Sequence, residues 1–166
     1  VENIIFLGYL ITKNGIIPNP AKTEAIRDYP IPTTAKKLKK FLGLASYYRK
    51  FIKNFATMTA DLYALLKKDV KFKWTAELQN QFDALIEILV NPPFLVLPDF
   101  LKIFNITVDA SGVGIGGTLS QSDENGEERV IAYISRKLTP AEQNYSTIER
   151  ECLAIVWATT DKFRPY

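Results

Sequence analysis

The hydrophobic pattern changes period along the chain. "IIFLGYLITKNGIIP", residues 4–18, holds two apolar runs separated by Thr12-Lys13-Asn14-Gly15. Asn-Gly between such runs predicts a β-hairpin. Asn19 and Pro20 then suit the cap and first position of a short helix that Pro30 would end. "PIPTT" is a linker whose Thr33 or Thr34 can cap the next helix. Over roughly 34–53, Leu38, Phe41, Leu42, Ala45, Tyr48 and Ile52 recur at intervals of three and four, which predicts a helix with one apolar stripe. "MTADLYALLKK" predicts a third helix that buries Leu62, Leu65 and Leu66. "FKWTAELQNQFDALIEILVNPP" predicts a fourth, with Thr75 as cap, Trp74 stapling its start and Pro92-Pro93 as its stop. Its buried stripe is Phe82, Leu85, Ile86 and Leu89. "NPPFLVLPDFLK" reads as an extended connector.

Beyond the connector the period falls to two. Phe104, Ile106 and Val108 share one face of a strand, and Asn105, Thr107 and Asp109 share the other. Residues 112–121 and 128–136 predict two further strands joined through "SDENGEE". A helical pattern runs from Ser146 to about Phe163. The order β-β-β-α predicts an antiparallel meander covered on one face by a helix.

Composition narrows the function classes. An apolar content of 47% supports a core and excludes a disordered chain. No apolar run approaches the ~20 residues of a membrane span, and no signal-peptide pattern is present. The single cysteine, Cys152, excludes an internal disulfide framework and suits an intracellular protein. The absence of histidine excludes His-based catalysis and His-ligated zinc within this chain. A start at Val1 rather than Met leads us to expect a piece of something longer. Charge is unevenly spread. Residues 1–75 carry 14 Lys/Arg against 5 Asp/Glu, a net of +9, and residues 76–166 carry 7 against 13, a net of −6. A basic part joined to an acidic part suggests one surface for a polyanion and another for a cation.

The basic charge gathers on the predicted 34–53 helix, where Lys36, Lys39, Lys40, Gly43, Tyr47 and Lys50 form the stripe opposite the apolar one. Glycine costs a helix about 1 kcal/mol against alanine. A nucleic-acid strand passing close to the helix would justify a bare spot flanked by point charges and a tyrosine. A solvated lysine face bent at Gly43 accounts for the same residues. On the acidic side the candidates are Asp109 and the glutamates of "STIERECLAIVWA". Converging carboxylates bind Mg²⁺, which prefers oxygen ligands, and two such ions can drive phosphodiester hydrolysis. On a helical wheel Ile148, Cys152, Ile155 and Val156 form the expected apolar centre. Glu149 lies between Val156 and Leu153, and Glu151 lies on a flank of small residues made by Ala154 and Ala158. Periodicity does not choose between the two glutamates, and both also fit as first-turn acids that complement the helix dipole.

Taken together these segments resemble a known family. "FLGYLITKNGIIPNPAKTEAIRDYPIPTTAKKLKKFLGLASYYRKFIKNFA" resembles the end of the polymerase region in gypsy-type LTR-retrotransposon and retroviral reverse transcriptases. "DASGVGIGGTLSQ", "VIAYISRKLTPAEQNYSTIERECLAIVWA" and "KFRPY" resemble the ribonuclease H domain that follows in those Pol polyproteins. The resemblance implies an α+β fold in three parts: a primer-grip-like hairpin over 1–20, a helical thumb and linker region over 21–92, and the start of a ribonuclease H-like mixed sheet with its covering helix over 93–166. It implies Asp109 and Glu151 as metal-binding catalytic carboxylates, Mg²⁺ as cofactor, and an RNA–DNA hybrid or template–primer duplex as partner of the Lys36, Lys39, Lys40, Gly43, Tyr47, Lys50 face. Glu149 is left without a role. Ser111 and the glycines at 112, 114, 116 and 117 fit a tight strand pair that leaves room for the scissile strand. The implied setting is intracellular, in cytoplasm, virus-like particle or nucleus, without a membrane and with the remainder of the polyprotein as partner. Two departures are evident. The family's polymerase aspartates precede the primer grip, and its third nuclease acid follows the helix in a Thr-Asp-type segment. The expectation is therefore a piece that holds two acids of a two-metal site and is inactive alone. The alternative is a remnant that acts at most as a nucleic-acid-binding module.

Overall fold

The computed structural model describes residues 3–166; residues 1 and 2, which open the expected 1–20 hairpin segment, lie outside the described residues. Strands β1 (Asn3–Phe6), β2 (Tyr9–Thr12) and β3 (Gly15–Pro18) form an antiparallel meander. The expected hairpin is β2–β3, with Lys13-Asn14 at its tip between the paired Thr12 and Gly15. A second turn at Leu7-Gly8 was hidden in the apolar run. Its residues have φ of 47° and 75°, the left-handed pair that a two-residue hairpin needs. The supposed connector is also a strand: β4 (Leu95–Val96) pairs with β3 and completes a four-stranded sheet. Gly15, at φ 154°, permits this contact, because a Cβ there would lie 2.1 Å from the Leu95 carbonyl oxygen.

Helix α1 (Pro20–Arg27) starts as expected, with the Asn19 side chain accepting from the Ala21 N–H at 3.1 Å. Helix α2 (Ala35–Tyr47) is capped by Thr34 and is shorter than the expected 34–53. After Tyr48 the chain tightens into a 3₁₀ turn, Arg49–Phe51. The change in pitch lets Tyr48, Phe51 and Ile52 all be buried. The expected third helix is two short ones, α3 (Phe55–Met58) and α4 (Ala60–Ala64), divided at Thr59. The Thr59 hydroxyl donates to the Phe55 carbonyl at 2.7 Å, a local bond that competes with the regular helical ladder. Helix α5 (Ala76–Val90) is capped by Thr75. These helices share one core, centred on Leu38, Phe41, Leu42, Phe82, Leu85 and Leu89, with the Phe41 and Phe82 ring centroids 4.5 Å apart.

The second sheet runs β5 (Asn105–Ala110), β6 (Gly114–Ser122), β7 (Glu128–Lys137), and both its pairings are antiparallel. The mixed character expected of this sheet is not found among the described residues. Helix α6 (Thr147–Trp157) covers one face and continues into a π turn, Ala158–Lys162. The expected apolar centre of α6 is on the wrong side: Ile148 is 73% exposed, Ile155 50% and Val156 56%, and Cys152 is exposed. The buried residues are instead Ala154, Trp157 and Ala158, packed against Ile115 and Leu119 of β6. Close approach to the sheet is easiest along the line of small side chains, so alanines outweigh the larger apolar residues in setting the rotation of α6. Strand β6 is buried from Gly114 to Gln121, with α6 on one side and residues 54–57 on the other.

Candidate metal centre and nucleic-acid interface

Asp109 lies one residue from the end of β5. Its neighbours Val108 and Ala110 pack toward the α6 core, so pleating turns Asp109 to the opposite face. There Asn54 Nδ2 donates to Asp109 Oδ2 at 3.0 Å. Ser111 is occupied in building the turn that follows. Its hydroxyl donates to the Gly114 carbonyl at 3.0 Å and accepts from the Gly114 N–H at 3.0 Å and the Val113 N–H at 3.3 Å.

The two glutamates of α6, equivalent by periodicity, separate in the structure. Glu149 is the third residue of a capping box: Ser146 Oγ accepts from the Glu149 N–H at 3.3 Å, and the Glu149 carboxylate accepts from the Ser146 N–H at 2.7 Å. These bonds hold the Glu149 carboxyl below the usual range. Glu151 is exposed. Arg150 Nη1 donates to the Ser111 carbonyl at 3.3 Å and so ties the start of α6 to the β5–β6 turn. Glu151 follows Arg150 directly, and Asp109 stands two residues before Ser111 on the face of the sheet opposite the α6 core. Among the described residues no group of three or more His, Cys, Asp or Glu side chains could hold a metal ion.

The glycines of β6 have a different purpose from the one expected. A Cβ at Gly116 would lie 2.7 Å from Asn54 Oδ1, and one at Gly114 would lie 3.3 Å from the Ala56 Cβ. The space they leave is filled by Asn54 and the start of α3, not held open for a nucleic-acid strand. Gly112 is exposed, and a Cβ there would make an ordinary 3.4 Å contact with Arg150.

On the basic side Lys36, Lys39, Lys40 and Gly43 are exposed on α2, and nothing lies within 4 Å of a Cβ built at Gly43. Helix α2 is continuous through Gly43. Tyr47 is partly committed: its hydroxyl donates to the Leu7 carbonyl, and its ring stacks on Tyr9 at 5.5 Å. Lys50 leaves the stripe because α2 ends before it. Its Nζ sits 3.7 Å from the Tyr9 ring centroid, and burial lowers its pKa. With Arg49 and Lys162 it lines a cavity of about 230 Å³ against β7. No local signal links Arg49 or Lys50 to Lys162. Asn54 and Arg150 were equally silent in the sequence, since each acts through a contact distant along the chain.

The pattern of the RNase H-like domain found in reverse transcriptase matches residues 74–166. The chain belongs to that family. As an RNase H-like chain it resembles the Pol polyproteins of gypsy-type transposons. It is 43% identical to the retrovirus-related Pol polyprotein from transposon 412 of Drosophila melanogaster over 166 residues, all of this chain and 13% of that polyprotein. It is 48% identical to the corresponding polyprotein from transposon 297 of the same organism over 163 residues, 97% of this chain and 15% of that one. The chain therefore spans only a small part of the length of these relatives. In fold it is similar to the foamy viral protease-reverse transcriptase in complex with RNA/DNA hybrid, with a TM-score of 0.77 and 24% identity over 98% of this chain and 22% of that one. For the same enzyme in complex with dsDNA the TM-score is 0.80 at 23% identity, over 99% of this chain and 34% of that one. These likenesses agree with the α+β fold expected. No helix among the described residues is long and apolar enough to cross a membrane.

Proposed function

We propose that this RNase H-like chain acts within a longer Pol protein, an RNA-directed DNA polymerase whose associated nuclease hydrolyses the RNA strand of RNA–DNA hybrids. In this reading residues 1–20 and 21–92 serve as primer-grip and thumb elements, and residues 93–166 begin the nuclease. The setting is inside the cell, in cytoplasm, virus-like particle or nucleus. The observation that supports the reading is the Arg150–Ser111 bond, which ties the start of α6, where Glu151 follows, to the turn that follows Asp109, while the capping box occupies Glu149.

The residues present suit a hard divalent cation. Asp109 and Glu151 offer carboxylate oxygens, and no imidazole competes, since the chain has no histidine. Asn54 engages only one oxygen of Asp109. Bound Mg²⁺ would supply an activated water and charge neutralisation for the leaving oxygen. The protein's own contribution is to hold the acids on rigid elements and to anchor the duplex. Asp109 is fixed by strand pairing to Gly116, and Glu151 by the capped α6. The lysines of α2 supply phosphate contacts without reading bases.

The test is hybrid cleavage in Mg²⁺ by a longer Pol protein that contains this chain. Asp109→Asn and Glu151→Gln should each abolish cleavage and keep hybrid binding. Undiminished cleavage by either variant would remove that residue from the site. If the unsubstituted protein binds hybrid and never cleaves it, the chain is a nucleic-acid-binding module instead.

A further inference from the structure

We infer that Asn54 is a positioning residue for Asp109, so that the helical part of the chain sets the geometry of the nuclease acid. The inference rests on the reading of Asp109 as a metal ligand. Asp109, Gly116 and Ser135 are Cα partners across β5, β6 and β7, and therefore form one row on one face of the sheet. Residues 54–57 lie along that row. The Ala56 N–H donates to Ser135 Oγ at 2.8 Å, and Thr57 Oγ1 lies 3.2 Å from Ser111 Oγ. Between these anchors the Asn54 amide crosses the row, with Nδ2 on Asp109 and Oδ1 over Gly116.

Two features show that the Asn54 side chain is directed to Asp109 rather than used locally. Asn54 precedes α3 at the capping position, yet its side chain makes no cap hydrogen bond. Its backbone has φ 54° and ψ 34°, a left-handed conformation that asparagine tolerates better than most residues. Gly116 adds the third element, because any side chain there would collide with the amide. A carboxylate on an exposed strand end can rotate. A donor held from outside fixes which oxygen faces inward and which is offered to a cation. Partners of this kind are worth about 10- to 100-fold in metal affinity. Residue 54 lies outside the 74–166 stretch that matches the family pattern. That stretch therefore holds Asp109 without its orienting donor.

Asn54→Gly is the decisive variant. It removes the amide and relaxes the left-handed backbone, so the fold is retained. Gly116→Ala reaches the same bond from the other side by displacing the amide. The probe is Mn²⁺, titrated into the unsubstituted chain, both variants and Asp109→Asn. The readout is paramagnetic broadening of the Ala110 and Gly116 amide signals, with thermal denaturation as the control for folding. Both variants should bind Mn²⁺ about tenfold or more weakly than the unsubstituted chain, with their melting transitions intact. Unchanged or tighter binding in Asn54→Gly, alongside loss of binding in Asp109→Asn, overturns the positioning role and leaves Asp109 as a ligand. Unchanged binding in Asp109→Asn overturns the ligand reading itself, and the positioning role with it.

Discussion

Gly43 allows the stability of α2 to be separated from its use as a surface. The perturbation is Gly43→Ala. The residue lies inside α2, exposed, with nothing within 4 Å of the added methyl group. No clash opposes the substitution, so helix propensity alone decides its effect on stability. Alanine is favoured over glycine in a helix interior by ~0.8–1.0 kcal/mol. Gly43 is four residues from the last helical residue, Tyr47, so the gain should fall at or slightly below that range. For a chain of this size it corresponds to a melting temperature raised by roughly 2–4 °C. If the lysine face receives a nucleic-acid backbone at Gly43, the same methyl group must push that backbone away. Overpacking of a closed contact costs ~1–3 kcal/mol, which weakens binding by about fivefold or more. The assay pairs thermal denaturation with fluorescence anisotropy on an RNA–DNA hybrid at fixed salt. A more stable protein with weaker binding is the expected pair of results. Equal binding by Gly43→Ala would refute close approach at Gly43 and return the lysines to a merely solvated face. An unchanged melting temperature would refute the propensity argument.

Three further outcomes follow from the geometry. Arg136 grips Glu142 with two bonds, of 2.7 and 2.9 Å, and holds its pKa at about 2, below the usual 4.5. A depressed carboxyl stabilises the fold above its unfolded pKa and loses that contribution as pH falls, so the advantage over Glu142→Gln in urea denaturation should shrink between pH 4.5 and 2 and vanish below. An advantage that grows on acidification would contradict the ion pair. Glu149→Ala should lower the melting temperature through the lost capping box and leave Mn²⁺ binding intact, whereas Glu151→Ala should do the reverse; exchanged phenotypes would show the two roles to be misassigned. Gly15→Ala should cost at least ~1–3 kcal/mol, because its methyl group cannot fit 2.1 Å from the Leu95 carbonyl oxygen. Hydrogen exchange at the amides of Ile16 and Leu95 should speed up, and continued protection there would show that β4 survives the substitution.

What could be read from the sequence was what depends on near neighbours. Asn19, Thr34 and Thr75 each cap a helix where expected, because a cap needs only a side chain and a backbone N–H two or three residues on. The strand alternation that turned Asp109 away from Val108 also held, since pleating is local. Errors arose where two distant segments compete for one space. The helical wheel centres α6 on Ile148, Cys152, Ile155 and Val156, whereas close packing on β6 selects Ala154 and Ala158. The strand β4 was concealed because its partner lies some eighty residues earlier. The glycines of β6 do sit in a tight strand pair, but the space expected for a scissile strand is filled at Gly116 by Asn54 and at Gly114 by Ala56. Glu149 and Glu151 could not be told apart on a wheel. One hydrogen bond to the Ser146 N–H separates them.

Contacts also cross the expected boundary near residue 92. Strand β4 lies after that boundary yet hydrogen-bonds to β3, at the other end of the helical part. The helical core extends past it too, since Val130 and Tyr133 of β7 pack against it. Strand β6 would lose its cover on one face if residues 54–57 were withdrawn, and the bare backbone at Gly114 and Gly116 offers no side chains to replace it. Polar contacts follow the same line: Ser135, Ser111 and Asp109 each meet a residue between 54 and 57.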